Sequence, residues 1–230
     1  VNGIPSAEEI FTEKKLYMGQ FLGNKYIWSK FMAERAILQA VAHKGLKAKI
    51  MRVVNLAARS TDGEFQINFS TNSFMGRIKV FNMLGCCPHE MRDNPAEFSP
   101  INEVSHAIVL LSKTPSECCV FHPYNNHQVL FGDVLSELKY VGDGVEFVNG
   151  DEFARRMELA KEDPDKARQL SSLLAYQDMA HGHKTADVAR QNNYTMQVLY
   201  RLGYQWSHTT WDYIDRFLKA IAGMGFFDNK

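Results

Sequence analysis

Residues 26–34 read YIWSKFMAE, and a second stretch, KIMRVV, spans residues 49–54. Apolar side chains recur at helical spacing from Tyr26 to about His43, which predicts a helix there, and Gly45 stands where that helix would end. The second stretch is rich in branched side chains and predicts a β-strand. A helix followed by a buried strand is the repeating unit of an α/β fold.

The predicted helix places the phenol of Tyr26 and the ammonium of Lys30 four residues apart, and therefore on one face. A neighbouring cation favours the ionised phenol and helps it to pass a proton to an oxygen that develops negative charge. Hydride transfer to a carbonyl needs such a proton donor. The bare Tyr-x-x-x-Lys pattern also occurs on exposed helices that have no function, so its surroundings must decide.

Helices and strands alternate in the prediction as far as residue 150. A helix ends near Gly85, Asn102 is placed to cap another, and a strand ends just before the turn Asn149-Gly150. From Asp151, which is placed to cap the next helix, the strand signals fade and helical segments run to the end. We therefore predict two parts, residues 1–150 and 151–230, of which the second is mainly α-helical.

The composition narrows the classes of partner. Lysines and arginines number 26 against 26 acidic residues, so no general attraction to nucleic acid or to an anionic membrane is expected. No apolar run reaches membrane length. The four cysteines form two adjacent pairs, Cys86-Cys87 and Cys118-Cys119, without the spacing of a disulfide framework or a zinc site, which favours a reducing cytoplasm and no metal.

In order and spacing, residues 26–34 resemble the Tyr-x-x-Ser-Lys-x-x-x-Glu helix of extended short-chain dehydrogenases, and the strand that follows fits the same family. Three further stretches resemble the thioester reductase domains that end some nonribosomal peptide synthetases: YMGQ at residues 17–20, DGEFQIN at 62–68 and EFSPIN at 97–102. The resemblance implies an α/β fold, the C-terminal part of an extended short-chain-dehydrogenase Rossmann fold with an incomplete sheet. Residues 1–150 would carry cofactor-binding elements and substrate loops, and 151–230 a helical subdomain that faces substrate and carrier protein.

The resemblance also implies roles for individual residues. Tyr26 is expected to be the general acid, and Lys30 to hold the nicotinamide ribose of NADPH. The segment Val54, Asn55 and Leu56 is expected to lie near the nicotinamide ring. The substrate channel is expected to be lined by Gln66, Asn68, Asn72, Phe74 and Phe98.

The implied activity is NADPH-dependent release of an acyl or peptidyl thioester, delivered on the phosphopantetheine of a carrier protein, as an aldehyde or an alcohol. The glycine-rich dinucleotide loop and the Ser or Thr that completes the catalytic triad are expected upstream of Tyr26, on strands that this sequence does not contain. We therefore expect the isolated chain to be inactive and an upstream part of the same polypeptide to bind most of the cofactor. An exposed sheet edge would also favour dimerisation of the isolated chain.

Three other functions are weighed against this one. A sugar-nucleotide epimerase or dehydratase would share Tyr-x-x-x-Lys and the strand after it, and a non-catalytic fragment that docks a carrier protein would share the fold. Residues 185–202 superficially resemble a helix-turn-helix, but zero net charge and Asn192-Asn193 at the turn argue against DNA binding.

Two further groups near the C-terminus are interpreted as structural. His181, His183 and His208 lack a carboxylate partner at ligand spacing, so we expect surface histidines rather than a metal site. Five aromatic residues are expected to anchor the final helix in the core: Tyr204, Trp206, Trp211, Tyr213 and Phe217.

Overall fold

The structure is a computed structural model, and it describes residues 11–17, 22–23, 25–66, 72–96, 99–127, 129–170 and 191–227. The chain divides into two compact units. The first comprises Val1–Val54, Val104–Tyr124 and Met179–Gln205, and the second comprises Asn55–Glu103, Asn125–Asp178 and Trp206–Lys230. The predicted division at residue 150 concerns the roles of the two parts, and it stays a prediction.

The fold is mixed α/β, as predicted. Its helices are α1 (Lys25–Lys44), α2 (Ser73–Leu84), α3 (Ile101–Ser112), α4 (Phe131–Glu137), α5 (Gly150–Lys161), α6 (described for 164–170), α7 (Asn193–Arg201) and α8 (Trp211–Gly223). Its strands are β1 (Ile50–Met51), β2 (Leu56–Ala57), β3 (Cys86–Pro88), β4 (Pro95–Ala96), β5 (Ser99–Pro100), β6 (Val120–Phe121), β7 (Val129–Leu130) and β8 (Glu146–Val148).

In the described parts of the chain the strands pair two by two. Strand β1 lies parallel to β6, with Ile50 opposite Val120, and this pair belongs to the first unit. In the second unit β2 pairs with β5 and β3 with β8, both in parallel, whereas β4 and β7 are antiparallel. Parallel pairs joined through helices are the mark of an α/β fold.

Helix α1 confirms the first prediction, because it runs from Lys25 to Lys44 and ends before Gly45. Gly45 has φ 66°, a left-handed conformation that glycine adopts without a Cβ clash. The same device ends α2, where Gly85 has φ 63° and donates its N–H to the carbonyl of Asn82. Both glycine stops were predicted from the sequence.

The core of the second unit lies around α8. One face of this helix buries Tyr213, Ile214, Phe217, Leu218 and Ile221. These side chains belong to one apolar cluster with α2 and α4, and burial of each large side chain contributes about 1.5–3 kcal/mol. The hydroxyl of Tyr213 donates to the carbonyl of Ala58 at 2.8 Å, so the buried polar group has a partner.

The aromatic prediction for this region is confirmed in part. Tyr213 and Phe217 anchor α8, and Trp206 is buried just before it. The prediction is wrong for Trp211, because 55% of this residue is exposed. It is the first residue of α8, and the buried side chains of this helix begin at Tyr213.

Two predicted helix caps are also wrong. Asn102 is the second residue of α3, and its side-chain oxygen accepts the N–H of Ser60 at 3.0 Å instead of capping the helix. Helix α5 is capped by Asn149, which accepts the N–H of Glu152 at 2.9 Å, whereas Asp151 lies in the first turn. In both cases the residue at which the helix begins depended on backbone angles that the sequence pattern does not give.

Strand lengths differ from the prediction as well. The strand predicted from residue 49 to 54 forms ladder pairs at Ile50 and Met51. The segment between Pro88 and Pro100 contains β4 and β5 and a 3-10 turn at His89–Met91. None of the helices in the described ranges is both long and apolar enough to cross a membrane.

Candidate active site

Tyr26 and Lys30 lie together on the outer face of α1. The Nζ atom of Lys30 is 5.4 Å from the centre of the Tyr26 ring, and 65% of Tyr26 is exposed. Between them, the hydroxyl of Ser29 donates to the Tyr26 carbonyl at 2.8 Å. The four-residue spacing therefore brings a phenol and an ammonium side by side on a surface that another molecule can reach.

The accessibility of this pair follows from how α1 packs. None of its 20 residues is fully buried, and 51% of Trp28 is exposed. The opposite face is only half-buried, where the ring of Phe31 lies 6.0 Å from that of Tyr17. A central helix of an α/β layer normally buries an apolar stripe, so α1 has unused packing surface in this chain.

The segment after β1 carries the other residues expected near the cofactor. Val54 is half-buried at the end of the first unit, and Asn55 and Leu56 open the second unit. Leu56 begins β2 and lies opposite Ser99. The role of these three residues at a nicotinamide ring stays a prediction.

The residues predicted to line the substrate channel have different surroundings. Gln66 is exposed. Asn72 caps α2, because its side-chain oxygen accepts the N–H groups of Phe74 and Met75 at 3.0 and 3.2 Å. Phe74 is buried with its ring 5.9 Å from that of Phe131. Asn68 and Phe98 lie outside the described residues, and the substrate role of all five stays a prediction.

A buried group of polar side chains in the first unit joins α1 to β1 and β6. Arg52 binds the carboxylate of Glu34 through two nitrogens: Nε lies 3.1 and 3.0 Å from the two oxygens, and Nη2 lies 2.8 Å from Oε2. The Nη1 atom of Arg52 is 3.0 Å from Nε2 of His122. The side chain of Arg52 is only 10% exposed, so this ion pair is largely shielded from water.

His122 connects this group to α7. Its Nδ1 lies 2.9 Å from the carbonyl oxygen of Gln191, and its backbone N–H donates to the hydroxyl of Thr195 at 2.8 Å. Thr195 in turn donates its N–H and its hydroxyl to Glu13 at 2.9 and 2.8 Å. Burial lowers the pKa of His122, and the nearby Arg52 cation acts in the same direction.

Sequence reasoning missed this polar group. Glu34 was part of the helix motif and Arg52 part of the strand, but neither received a role. A charged residue inside an otherwise apolar strand is the signal that was present, since a buried arginine requires an acidic partner. The identity of that partner, Glu34, could not be read from the sequence, because the two residues are 18 positions apart and meet only when α1 packs on β1.

The second unit contains a pair of histidines and a small cavity. The rings of His127 and His208 lie 3.9 Å apart, and burial and then the neighbouring ring lower the pKa of His127. The cavity, about 230 Å³, is lined by polar side chains that include Ser60, Glu103 and Arg216. Within the described ranges no three His, Cys, Asp or Glu residues are grouped so that they could hold a metal ion, and His181 and His183 lie outside those ranges.

Comparison with solved structures identifies the fold. A thiolation-reductase di-domain from an archaeal nonribosomal peptide synthetase is similar over 96% of this chain and 45% of its own, with 34% identity and a TM-score of 0.83. The reductase domain of the aureusimine biosynthetic cluster and the terminal R domain of the myxalamid pathway share the fold, with TM-scores of 0.80 and 0.75 at 20% identity.

Sequence comparison agrees. Residues 3–108 match the family model described as male sterility protein, an NAD-binding family. The L-2-aminoadipate reductase large subunit of Candida glabrata is 29% identical over 178 residues, which are 75% of this chain and 12% of that protein. The chain thus spans a small part of that curated relative and less than half of the archaeal structure.

The fold and the match of residues 3–108 to an NAD-binding family model make the chain similar to NAD(P)-binding reductases. In fold the chain resembles the reductase domains of nonribosomal peptide synthetases, and in sequence it is similar to the archaeal thiolation-reductase di-domain.

Proposed function

We propose that the protein reduces a carrier-bound acyl or peptidyl thioester with NADPH and releases it as an aldehyde, or as an alcohol after a second round. The observation that carries this proposal is the exposed Tyr26–Lys30 pair on α1, at the position of the family motif. The similarity to a thiolation-reductase di-domain supports a carrier protein as the partner that delivers the thioester on phosphopantetheine.

The phenol of Tyr26 and the ammonium of Lys30 on α1 are proposed to bind the nicotinamide and ribose end of a dinucleotide. When bound, the cofactor supplies a hydride to the carbonyl carbon of the thioester. Tyr26 then donates its phenolic proton to the carbonyl oxygen, and the ammonium of Lys30 donates hydrogen bonds to the ribose hydroxyls. The resulting hemithioacetal collapses, which expels the carrier thiol and leaves the aldehyde. Val54, Asn55 and Leu56 are proposed to border the nicotinamide.

The pyrophosphate end of the cofactor needs a different element. That end is normally held by a loop of the form G-x-G-x-x-G at a helix N-terminus, and this sequence contains no such run. We therefore propose that a further part of the polypeptide supplies it, and that this chain alone does not turn over. Two features support the proposal: α1 buries none of its residues, and in the described part of the chain β1 pairs with β6 on one edge only.

The same open edge is the basis for a related proposal about the isolated chain. An unpaired strand edge beside an exposed apolar face is a template for pairing with a second copy. We propose that the isolated chain dimerises through this edge. We also propose that the protein works in a reducing compartment such as the cytoplasm, where its four free thiols persist. A monomer in sedimentation at high protein concentration contradicts the proposed dimerisation.

The test of the activity compares two proteins, this chain and a longer version that includes the cofactor-binding half. NADPH oxidation is followed by the absorbance at about 340 nm, with a short acyl-pantetheine thioester as substrate. NADH is tested as the competing cofactor. The proposal expects oxidation by the longer protein alone. Consumption of a nucleotide sugar in place of the thioester would instead indicate an epimerase or dehydratase, and binding of a carrier protein without any turnover would indicate a docking fragment.

A further inference from the structure

Glu34 occupies a position on α1 that matters for the Tyr26–Lys30 pair. It follows Lys30 by four residues, and on a helix an acidic and a basic residue at this spacing are neighbours that form an ion pair. A carboxylate that pairs with Lys30 would draw the ammonium one turn towards the C-terminus of α1, away from Tyr26. The helix therefore carries a competitor for the lysine on its own surface.

Arg52 removes this competitor. Its Nε and Nη2 atoms together contact both carboxylate oxygens of Glu34, at 2.8–3.1 Å. A two-pronged guanidinium contact satisfies both oxygens and fixes their plane, which a lysine ammonium cannot do. The Nζ atom of Lys30 meanwhile lies 5.4 Å from the centre of the Tyr26 ring.

Arg52 is itself held from the side opposite Glu34. Its Nη1 atom donates to the Thr12 carbonyl at 3.3 Å and lies 3.0 Å from Nε2 of His122, and its guanidinium stacks 4.6 Å from the centre of the Phe11 ring. The Gln191 carbonyl can only accept, so Nδ1 of His122 carries the hydrogen and Nε2 accepts from Arg52. The charged groups around the His122 ring are Arg52 just after β1, Glu34 on α1 and Glu13 in the N-terminal segment.

We propose that Arg52 is a positioning residue for the reductase: by occupying Glu34 it keeps this carboxylate from pairing with Lys30, and so leaves the Lys30 ammonium beside Tyr26 for the cofactor. This inference rests on the proposed function, because it gives Lys30 the task of binding ribose. It goes further in assigning a task to a residue that does not touch cofactor or substrate.

The kinetic test uses the intact protein with its cofactor-binding half. In Arg52→Gln the guanidinium charge that neutralises Glu34 is gone, and we expect kcat/KM to fall on the order of 10- to 100-fold, with most of the change in the KM for NADPH. In the double variant Arg52→Gln/Glu34→Gln the competing carboxylate is gone. We expect the double variant to regain most of the lost activity.

The double variant separates positioning from mere stabilisation. If Arg52 only holds α1 in place, removing both partners of the ion pair is at least as harmful as removing one, and a double variant no faster than Arg52→Gln overturns the proposal. Should Arg52→Gln fail to fold, Arg52→Lys serves in its place. A single ammonium cannot satisfy both oxygens, so a partial loss that Glu34→Gln relieves is expected, and no relief overturns the proposal.

A second readout does not depend on activity. In a crystal structure of the Arg52→Gln variant, we expect the Lys30 ammonium and the Glu34 carboxylate to lie within about 4 Å of each other. A structure in which Glu34 stays clear of Lys30 overturns the inference. A wild-type protein without turnover overturns the proposed function, whereas an active wild type with an unrescued double variant overturns this inference alone.

Discussion

Helix α1 runs for 20 residues without burying a side chain, whereas α8, with 13 residues, buries five. The first helix carries the residues assigned to chemistry and is tied to its unit through the ion pair between Glu34 and Arg52. Helix α8 carries no residue assigned to chemistry and forms the centre of the apolar core of its unit. The same secondary structure is thus held by a polar contact in one unit and by close packing in the other.

This difference has consequences for what each helix tolerates. A helix held by apolar packing loses stability with every truncated side chain, because a cavity is left behind. A helix with exposed faces tolerates truncation and depends instead on the few charged contacts that fix its orientation. Substitutions on the two helices should therefore separate stability from activity.

The largest effect on stability is expected at Phe217 in α8. Phe217→Ala removes a buried ring that packs 5.8 Å from that of Phe65, and we expect the free energy of unfolding to fall by about 3–5 kcal/mol. The matched control is Trp28→Ala on α1, where half of the side chain is already exposed and a change within about 0.5 kcal/mol is expected. Urea denaturation measures both, and equal losses would contradict the comparison.

A smaller loss of stability is expected from a substitution at Gly63, where the backbone lies close to α8. Gly63 has φ 76°, and a Cβ there would lie 2.5 Å from the carbonyl oxygen of Arg216 in α8. We expect Gly63→Ala to cost about 2–4 kcal/mol, because backbone strain and a backbone clash add. Gly203→Ala is the control, since φ is 77° and nothing lies within 4 Å of the added Cβ, so strain of about 1–2 kcal/mol remains. Thermal or urea unfolding that ranks the two variants equally would show that the backbone at Gly63 moves away freely.

The smallest expected effect is on the pH dependence of stability, through the polar contacts of α1. The buried His122 has a lowered pKa in the folded protein, so on acidification the unfolded chain takes up its proton first, near the ordinary histidine value of about 6.5. Stability that is present above this pH is therefore lost as the pH falls below it. His122→Gln should flatten the dependence of the unfolding free energy between about pH 7 and 5. Curves for His122→Gln and wild type that run in parallel would contradict the account.

The sequence was sufficient for features that depend on local patterns. The helix from Tyr26, the glycine stops at Gly45 and Gly85 and the anchoring of α8 by Tyr213 and Phe217 are all readable from spacing and from the conformational freedom of glycine. The side-by-side placement of Tyr26 and Lys30 is of the same kind, since helical geometry alone requires it.

Contacts between distant residues could not be predicted in this way. Arg52 meets Glu34 across 18 residues and His122 across 70, and both distances depend on how α1, β1 and β6 pack together. The proposed competition between Arg52 and Lys30 for the Glu34 carboxylate therefore could not be inferred without the structure. The choice of Asn149 over Asp151 as a cap depends likewise on backbone angles.

The measurement that tests the central claim most directly is the turnover of Tyr26→Phe in the protein with its cofactor-binding half, with NADPH and an acyl-pantetheine thioester. The substitution keeps the ring and removes the proton donor, so the rate should fall by roughly 10²–10⁴ while NADPH affinity stays nearly unchanged. Turnover equal to that of the wild type would contradict the assignment of Tyr26 as the general acid, and with it the proposed use of the exposed face of α1.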